Sequence, residues 1–145
     1  MDVTHFFSKD QQEAIKNAIV EAELNTSGEI RVHIESYCKG DPIKRALSLF
    51  HSLEMHKTQH HNGVLFYVAL KSHKLAIIGD EAIHQNVTQS FWDDQSAKML
   101  SLFAQNLYTE ALVAAILAAG EKLKEHFPHE KEDINELSDE ISFGL

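Results

Sequence analysis

Asp80 and Glu81 stand directly after the apolar run Leu75 to Ile78 and Gly79, and Asp93 and Asp94 follow beside Trp92, the only tryptophan. Carboxylate oxygens without nitrogen or sulfur partners suit hard cations, so these acids are candidate ligands for calcium or magnesium. Asp80 and Glu81 would lie at a strand end, where open α/β sheets place their ligand crevices. A fifth acid, Asp41, follows an earlier strand and would join the same rim if the two strands run parallel. Local rules offer a rival account. Asp93 and Asp94 suit the positive end of a helix dipole, Asp41 suits a helix cap, and Asp80 suits a turn after Gly79. No spacing among them matches the twelve-residue EF-hand loop.

Other chemistries find less to work with. Cys38 and Arg45 resemble the ends of a cysteine-phosphatase loop, but six residues separate them, one too many, and Pro42 lies between. Of the ten histidines, His56, His60 and His61 are close together without a nearby cysteine or a helical register, which favours loop residues over zinc ligands. A glycine-rich dinucleotide fingerprint, a GxSxG elbow and a lysine-bearing phosphate loop are all absent.

The elements that must position the acids follow from periodicity and punctuation. Ser8 to Gln11 forms a capping box, and Ile15, Ala18, Ile19 and Ala22 continue it as a helix to about Leu24. Glu29 to Ser36 alternates, with Ile30, Val32 and Ile34 on one face and Glu29, Arg31, His33 and Glu35 on the other. That pattern predicts a strand with one wetter face, near a sheet edge. Asp41 and Pro42 open a second helix whose stripe is Ala46, Leu47, Leu49, Phe50 and Leu53. Gly63 to Leu70 is apolar throughout, as in a strand covered on both faces, and Lys71 to Lys74 turns it into a hairpin with Leu75 to Ile78. Helices are expected from Phe91 to Gln105 and from Thr109 to Phe127, where Pro128 stops the last one.

The resulting order, α-β-α-β-β-α-α, predicts an α/β domain with a small mixed central sheet flanked by helices. It occupies residues 1–128, and an acidic, extended C-terminal tail occupies 129–145. In 145 residues one such core can be buried without disulfides or metal staples. A single cysteine, Cys38, excludes an intrachain disulfide and suits a reducing, cytoplasmic setting. The net charge of −9 argues against nucleic acid, since binding a phosphate backbone needs Lys and Arg in excess. Over half of that excess sits between His129 and Glu140, where six acids face Lys131 alone. The N-terminus has no basic and apolar leader, and Ala111 to Gly120 is too short to cross a bilayer, so no membrane insertion is expected.

Several segments in order resemble one family. They are Thr26-Ser-Gly-Glu-Ile-Arg31, Asp41-Pro42 leading to Arg45-Ala46 and Phe50, Asn62-Gly-Val-Leu-Phe-Tyr67 and Ala76-Ile-Ile-Gly-Asp80. Phe91-Trp-Asp93, Phe127-Pro128 and Asp133-Ile-Asn-Glu-Leu137 extend the likeness over almost the whole chain, which is similar to the TPM domain family. One departure is Ser138, where related tails have proline. The resemblance implies an α/β sandwich of the stand-alone soluble branch, because many relatives carry a signal peptide and a membrane anchor that this sequence lacks. It also implies divalent-cation binding, chiefly calcium, at the acidic rim of Asp80 and Glu81 with Asp93 or Asp94, and an acid phosphatase activity attributed to plant members.

The expected function is therefore a monomeric module that binds calcium or magnesium. One alternative is a metal-assisted hydrolase of phosphomonoesters, in which the cation polarises the phosphoryl group and activates water. The other is a protein-interaction domain that recruits a partner through its tail.

Overall fold

The computed structural model describes residues 3–129 and 137–144. Its elements are α1 (Lys9–Glu23), β1 (Glu29–Glu35), α2 (Pro42–Ser52), β2 (Gly63–Ala69), β3 (Lys74–Gly79), α3 (Glu81–Asn86), α4 (Gln89–Ala104), α5 (Tyr108–His126) and β4 (Ser142–Phe143). The punctuation works as its chemistry requires. Ser8 Oγ accepts from Gln11 N while Gln11 Oε1 accepts from Ser8 N, and Asp41 caps α2 with Pro42 at its first position.

The four strands lie in the order β3-β2-β1-β4. β1 runs parallel to β2 and to β4, while β2 and β3 form the expected antiparallel hairpin. Ile30, Val32, Ile34, Val64, Phe66 and Val68 face α1, α4 and α5, and together they form the larger core. Leu65, Tyr67, Ala69, Ala76 and Ile78 face the other way, onto Ala46, Leu49 and Phe50 of α2. The result is a three-layer sandwich with a mixed sheet in the middle. β2 is buried along its whole length, which explains its unbroken apolar sequence.

Two expectations about β1 do not hold. It is not an edge strand, because Ser142 and Phe143 pair with His33 and Ile34 on its outer side. Its polar face is not wet either, since Glu29, His33 and Glu35 are each at most 5% exposed. α2 and the returning tail cover that face, and Glu29, His33 and Glu35 beneath them meet specific partners. The described part of the tail is thus built into the sheet, with Leu137 buried and the Leu137 amide donating to Glu29 Oε1 at 2.8 Å. Residues 130–136, which carry most of the acidic run, lie outside the described residues.

α5 crosses α1 at close range, and Gly120 makes that possible. A Cβ there would fall 2.6 Å from Ala22 Cβ and 2.8 Å from Ala22 Cα, too near for either backbone to tolerate. Among the described residues no helix is long and apolar enough to cross a membrane.

Candidate functional site

The amino end of the parallel pair β1 and β2 is where the antiparallel β3 finishes, since Gly79 pairs with Val64. Asp80 therefore sits beside the start of β2, and its amide donates to Gly63 O at 2.9 Å. Gly79 lets α3 fold back directly onto the strand end, because a Cβ at that position would lie 2.4 Å from Ile83 Cγ2. Asp80 caps this short helix, with Oδ1 accepting from the Glu81 amide at 2.8 Å. The helix itself escapes the sequence reading, being only six residues long behind what looks like a turn.

The second oxygen of Asp80 has no such use. Oδ2 is buried without a hydrogen-bond partner among the described residues, and His61 Nδ1 lies 3.6 Å from it. His61 is more than half exposed and adopts a left-handed backbone, φ 49°, while its carbonyl accepts from the Ala82 amide at 3.0 Å. The loop before β2 and the start of α3 are thereby tied together around one underused carboxylate.

The other candidate acids are not gathered there. Glu81 is an exposed neighbour of Asp80. Asp93 and Asp94 are exposed on α4, where Asp93 accepts a 3.0 Å hydrogen bond from Gln89 Nε2 one turn earlier. Asp41 lies at the opposite end of the sheet. β1 and β3 run antiparallel to each other, so the rim that would have united Asp41 with Asp80 does not form. Asp41 Oδ1 instead accepts from the Ile43 amide at 2.9 Å as a helix cap. Among the described residues no three His, Cys, Asp or Glu side chains converge as a metal-binding group.

At the carboxyl end the sheet holds a polar network that the alternating pattern of β1 conceals. Arg45 on α2 grips Glu35 with two hydrogen bonds, Nε to Oε2 at 3.0 Å and Nη2 to Oε1 at 2.9 Å. The Tyr67 hydroxyl donates to the same Oε2. Burial pushes the Glu35 carboxyl upward, but the hydrogen bonds and charge of Arg45 together with Tyr67 win and hold it below the usual carboxylate range. The phenol of Tyr67 moves the other way, raised by burial and by its bonds to Glu35 and Cys38. His33 stands between this group and the tail, with Nε2 3.5 Å from Glu35 Oε1 and Nδ1 2.7 Å from Ser142 Oγ. Burial lowers the His33 pKa despite the nearby Glu35 carboxylate.

This serine, histidine and carboxylate line up much as a hydrolytic relay does, yet the carboxylate is committed elsewhere. Glu35 is engaged by Arg45 and Tyr67 and makes no hydrogen bond to His33 Nε2, and burial weakens the imidazole as a base by lowering its pKa, so neither group is poised to activate Ser142 Oγ. Ser142 Oγ also reaches the Val32 carbonyl at 3.3 Å. The network fastens α2 and the tail to the sheet. Cys38 belongs to the same region, buried and 3.6 Å from Gly40 O through its thiol, away from any phosphate loop.

Known proteins share this fold. The TPM domain model matches residues 1–122. The BA42 protein from the psychrophilic bacterium Bizionia argentinensis, solved by NMR, is 41% identical with a TM-score of 0.90, the match covering 98% of each chain. The N-terminal domain of a P. gingivalis protein has TM-score 0.70 at 18% identity, covering 87% of this chain and 83% of that one. The N-terminal domain of cg2496 from Corynebacterium glutamicum has TM-score 0.65 at 16% identity, covering 84% and 77%. These last two share the fold alone. Functionally curated proteins gave no match.

Proposed function

The chain belongs to the TPM domain family, and on that footing we propose that it is a binding module whose ligand is a divalent cation, calcium or magnesium, held at Asp80. The observation that carries this reading is the buried Asp80 Oδ2, which has no hydrogen-bond partner among the described residues. A carboxylate oxygen left so costs free energy that a hard cation would recover. Its companion Oδ1 is already engaged as a helix cap, so Asp80 would bind through one oxygen. Glu81 is the adjacent second carboxylate, and water would complete the shell. A site with so few protein ligands is weak, in the millimolar range typical of extracellular calcium modules, roughly 0.1–1 mM or above.

The metal-assisted phosphatase has less in its favour. A phosphate beside Asp80 needs basic groups to offset its charge, and Lys71, His73 and Lys74 lie at the far end of β3, next to Ala69. The recruiting-tail reading is weakened by Leu137, Ser142 and Phe143, which serve the fold itself.

Titration of the full chain with calcium or magnesium chloride, followed by amide resonances, should move His61 and Gly79 to Glu81 saturably. The Asp80→Asn variant should abolish that movement while retaining the helix cap. Spectra that stay unchanged at tens of millimolar cation would remove Asp80 as a site.

A further inference from the structure

Between the two polar ends of β1 lies Arg31, on the face that α2 and the tail cover. Its strand neighbours on that face have partners: Glu29 accepts from Leu137 N, and His33 meets Ser142. Arg31 has no ion pair among the described residues, and its Nε is buried without an acceptor. Burial draws the guanidinium pKa down.

The side chain lines a cavity of about 210 Å³ closed by the turn after α2 and by Leu137 and Ser138 of the tail. Thr58 forms another part of its wall. That residue is 3% exposed, and its Oγ1 also has no hydrogen-bond partner among the described residues. Ser138 Oγ accepts from the Glu140 amide at 3.1 Å, which leaves its own O–H free to donate. Lys57 and Glu54 stand at the mouth, paired at 3.1 Å and both mostly exposed, so their charges offset. The cavity thus presents one uncompensated positive charge, one buried hydroxyl and a second hydroxyl at the tail. Water could satisfy the hydrogen bonds, but only an anion supplies the missing charge.

We propose that this cavity is a binding site for a small oxyanion of the phosphate type, gripped by the Arg31 guanidinium and the Thr58 hydroxyl. Planar guanidinium donors match two oxygens of such an anion, and a hydroxyl donor completes the recognition at little cost. The site is two strands away from Asp80 across the sheet and carries the opposite charge, so it does not depend on cation binding.

The same anionic chemistry could come from the chain's own acids, Glu132, Asp133 and Glu136, which precede Leu137 in sequence. The test separates the two sources. Full-length protein labelled with 15N is titrated with sodium phosphate, and with sodium chloride at matched ionic strength. Phosphate should move the Arg31 Nε–H and the Thr58 and Ser138 amides saturably, and chloride should not. Thr58→Val, which keeps the shape of the wall, should weaken the response about tenfold, as expected for loss of one hydrogen bond to a charged group. Arg31→Gln should abolish it, and if that variant does not fold, Thr58→Val still decides. Absence of a saturable response, or one unchanged by Thr58→Val, overturns the site. So does a wild-type protein deaf to phosphate whose Arg31 Nε–H moves when Glu132, Asp133 and Glu136 are changed together to amides, because the anion is then internal.

Discussion

The two ends of the sheet treat buried polar groups in opposite ways. At the carboxyl end, Glu35, Arg45, Tyr67, His33 and Ser142 are joined by hydrogen bonds that leave only His33 Nε2 buried without one among the described residues. Nearer the amino end, Asp80 Oδ2, Arg31 Nε and Thr58 Oγ1 are buried with no hydrogen-bond partner among the described residues. Burial is similar in the two places, so burial does not mark function here. Completion differs: a closed network is already bound to itself, whereas an open group retains free energy that a ligand could collect. Glu35 has the richer surroundings, and Asp80 keeps an oxygen without a hydrogen-bond partner among the described residues.

That contrast breaks most visibly under mutation of the closed end. Glu35→Ala strands the Tyr67 hydroxyl and releases Arg45, and should lower stability by about 2–4 kcal/mol, the smaller end favoured because Arg45 is partly exposed and can return to water. Urea unfolding would measure it, and a loss within error would mean the network is ornamental. Next in size is a pH effect at Glu23, whose pKa is raised to about 9 by burial and by its hydrogen bond with Asp139. Between the unfolded value and that one, the native state holds the extra proton, so stability falls as pH rises from about 4.5 to 9. Glu23→Gln should flatten this decline, seen as urea midpoints that no longer drop between pH 5 and pH 9. His33 works in the opposite sense. Its lowered pKa means that stability is lost as pH falls below about 6.5, because the unfolded state then takes up the proton more readily.

Ser142→Ala removes the hydroxyl's hydrogen bonds to His33 and to the Val32 carbonyl from a partly buried strand and should cost about 1–2 kcal/mol, with local loosening of β4 visible as faster amide exchange at Gly144. Gly144 is the natural reporter, because its amide donates to Ile34 O at 2.8 Å. The smallest change is expected at the open end. Asp80→Asn preserves the cap and disrupts no completed pair, so stability in metal-free buffer should stay within about 0.5 kcal/mol of the parent. A large loss there would place Asp80 among the structural acids and erase the distinction between the two ends.

How much of this was legible in the sequence depended on distance along the chain. Caps, helices and the β2-β3 hairpin rest on neighbours, and Ser8, Asp41 and Lys71 to Lys74 announce them locally. The hairpin also contains the reason Asp41 and Asp80 are apart: it reverses the chain and delivers Asp80 to the end opposite Asp41. The polar side of β1 was misleading because alternation reports only that polar residues share a face, not what lies over it. The cover comes from Arg45 on the next helix and from Ser142, 109 residues away in sequence, in a strand of two residues too short to leave a periodic trace. Asp80 was legible as a strand-end acid, but its unused oxygen is a matter of geometry. Arg31 and Thr58 carried no signal of their own, since a cavity between a turn and a distant tail has no signature in either segment.

β4 also sets an order of events during synthesis. β1 leaves the ribosome early and can meet β2 soon after, but its outer edge must wait until nearly the whole described chain has emerged. Until then the nascent domain displays an unpaired strand bearing buried-type residues such as Ile34, the kind of edge that neighbouring chains can extend. The tail thus acts as a final seal, and the interval before it closes is when this protein is most exposed to misassembly.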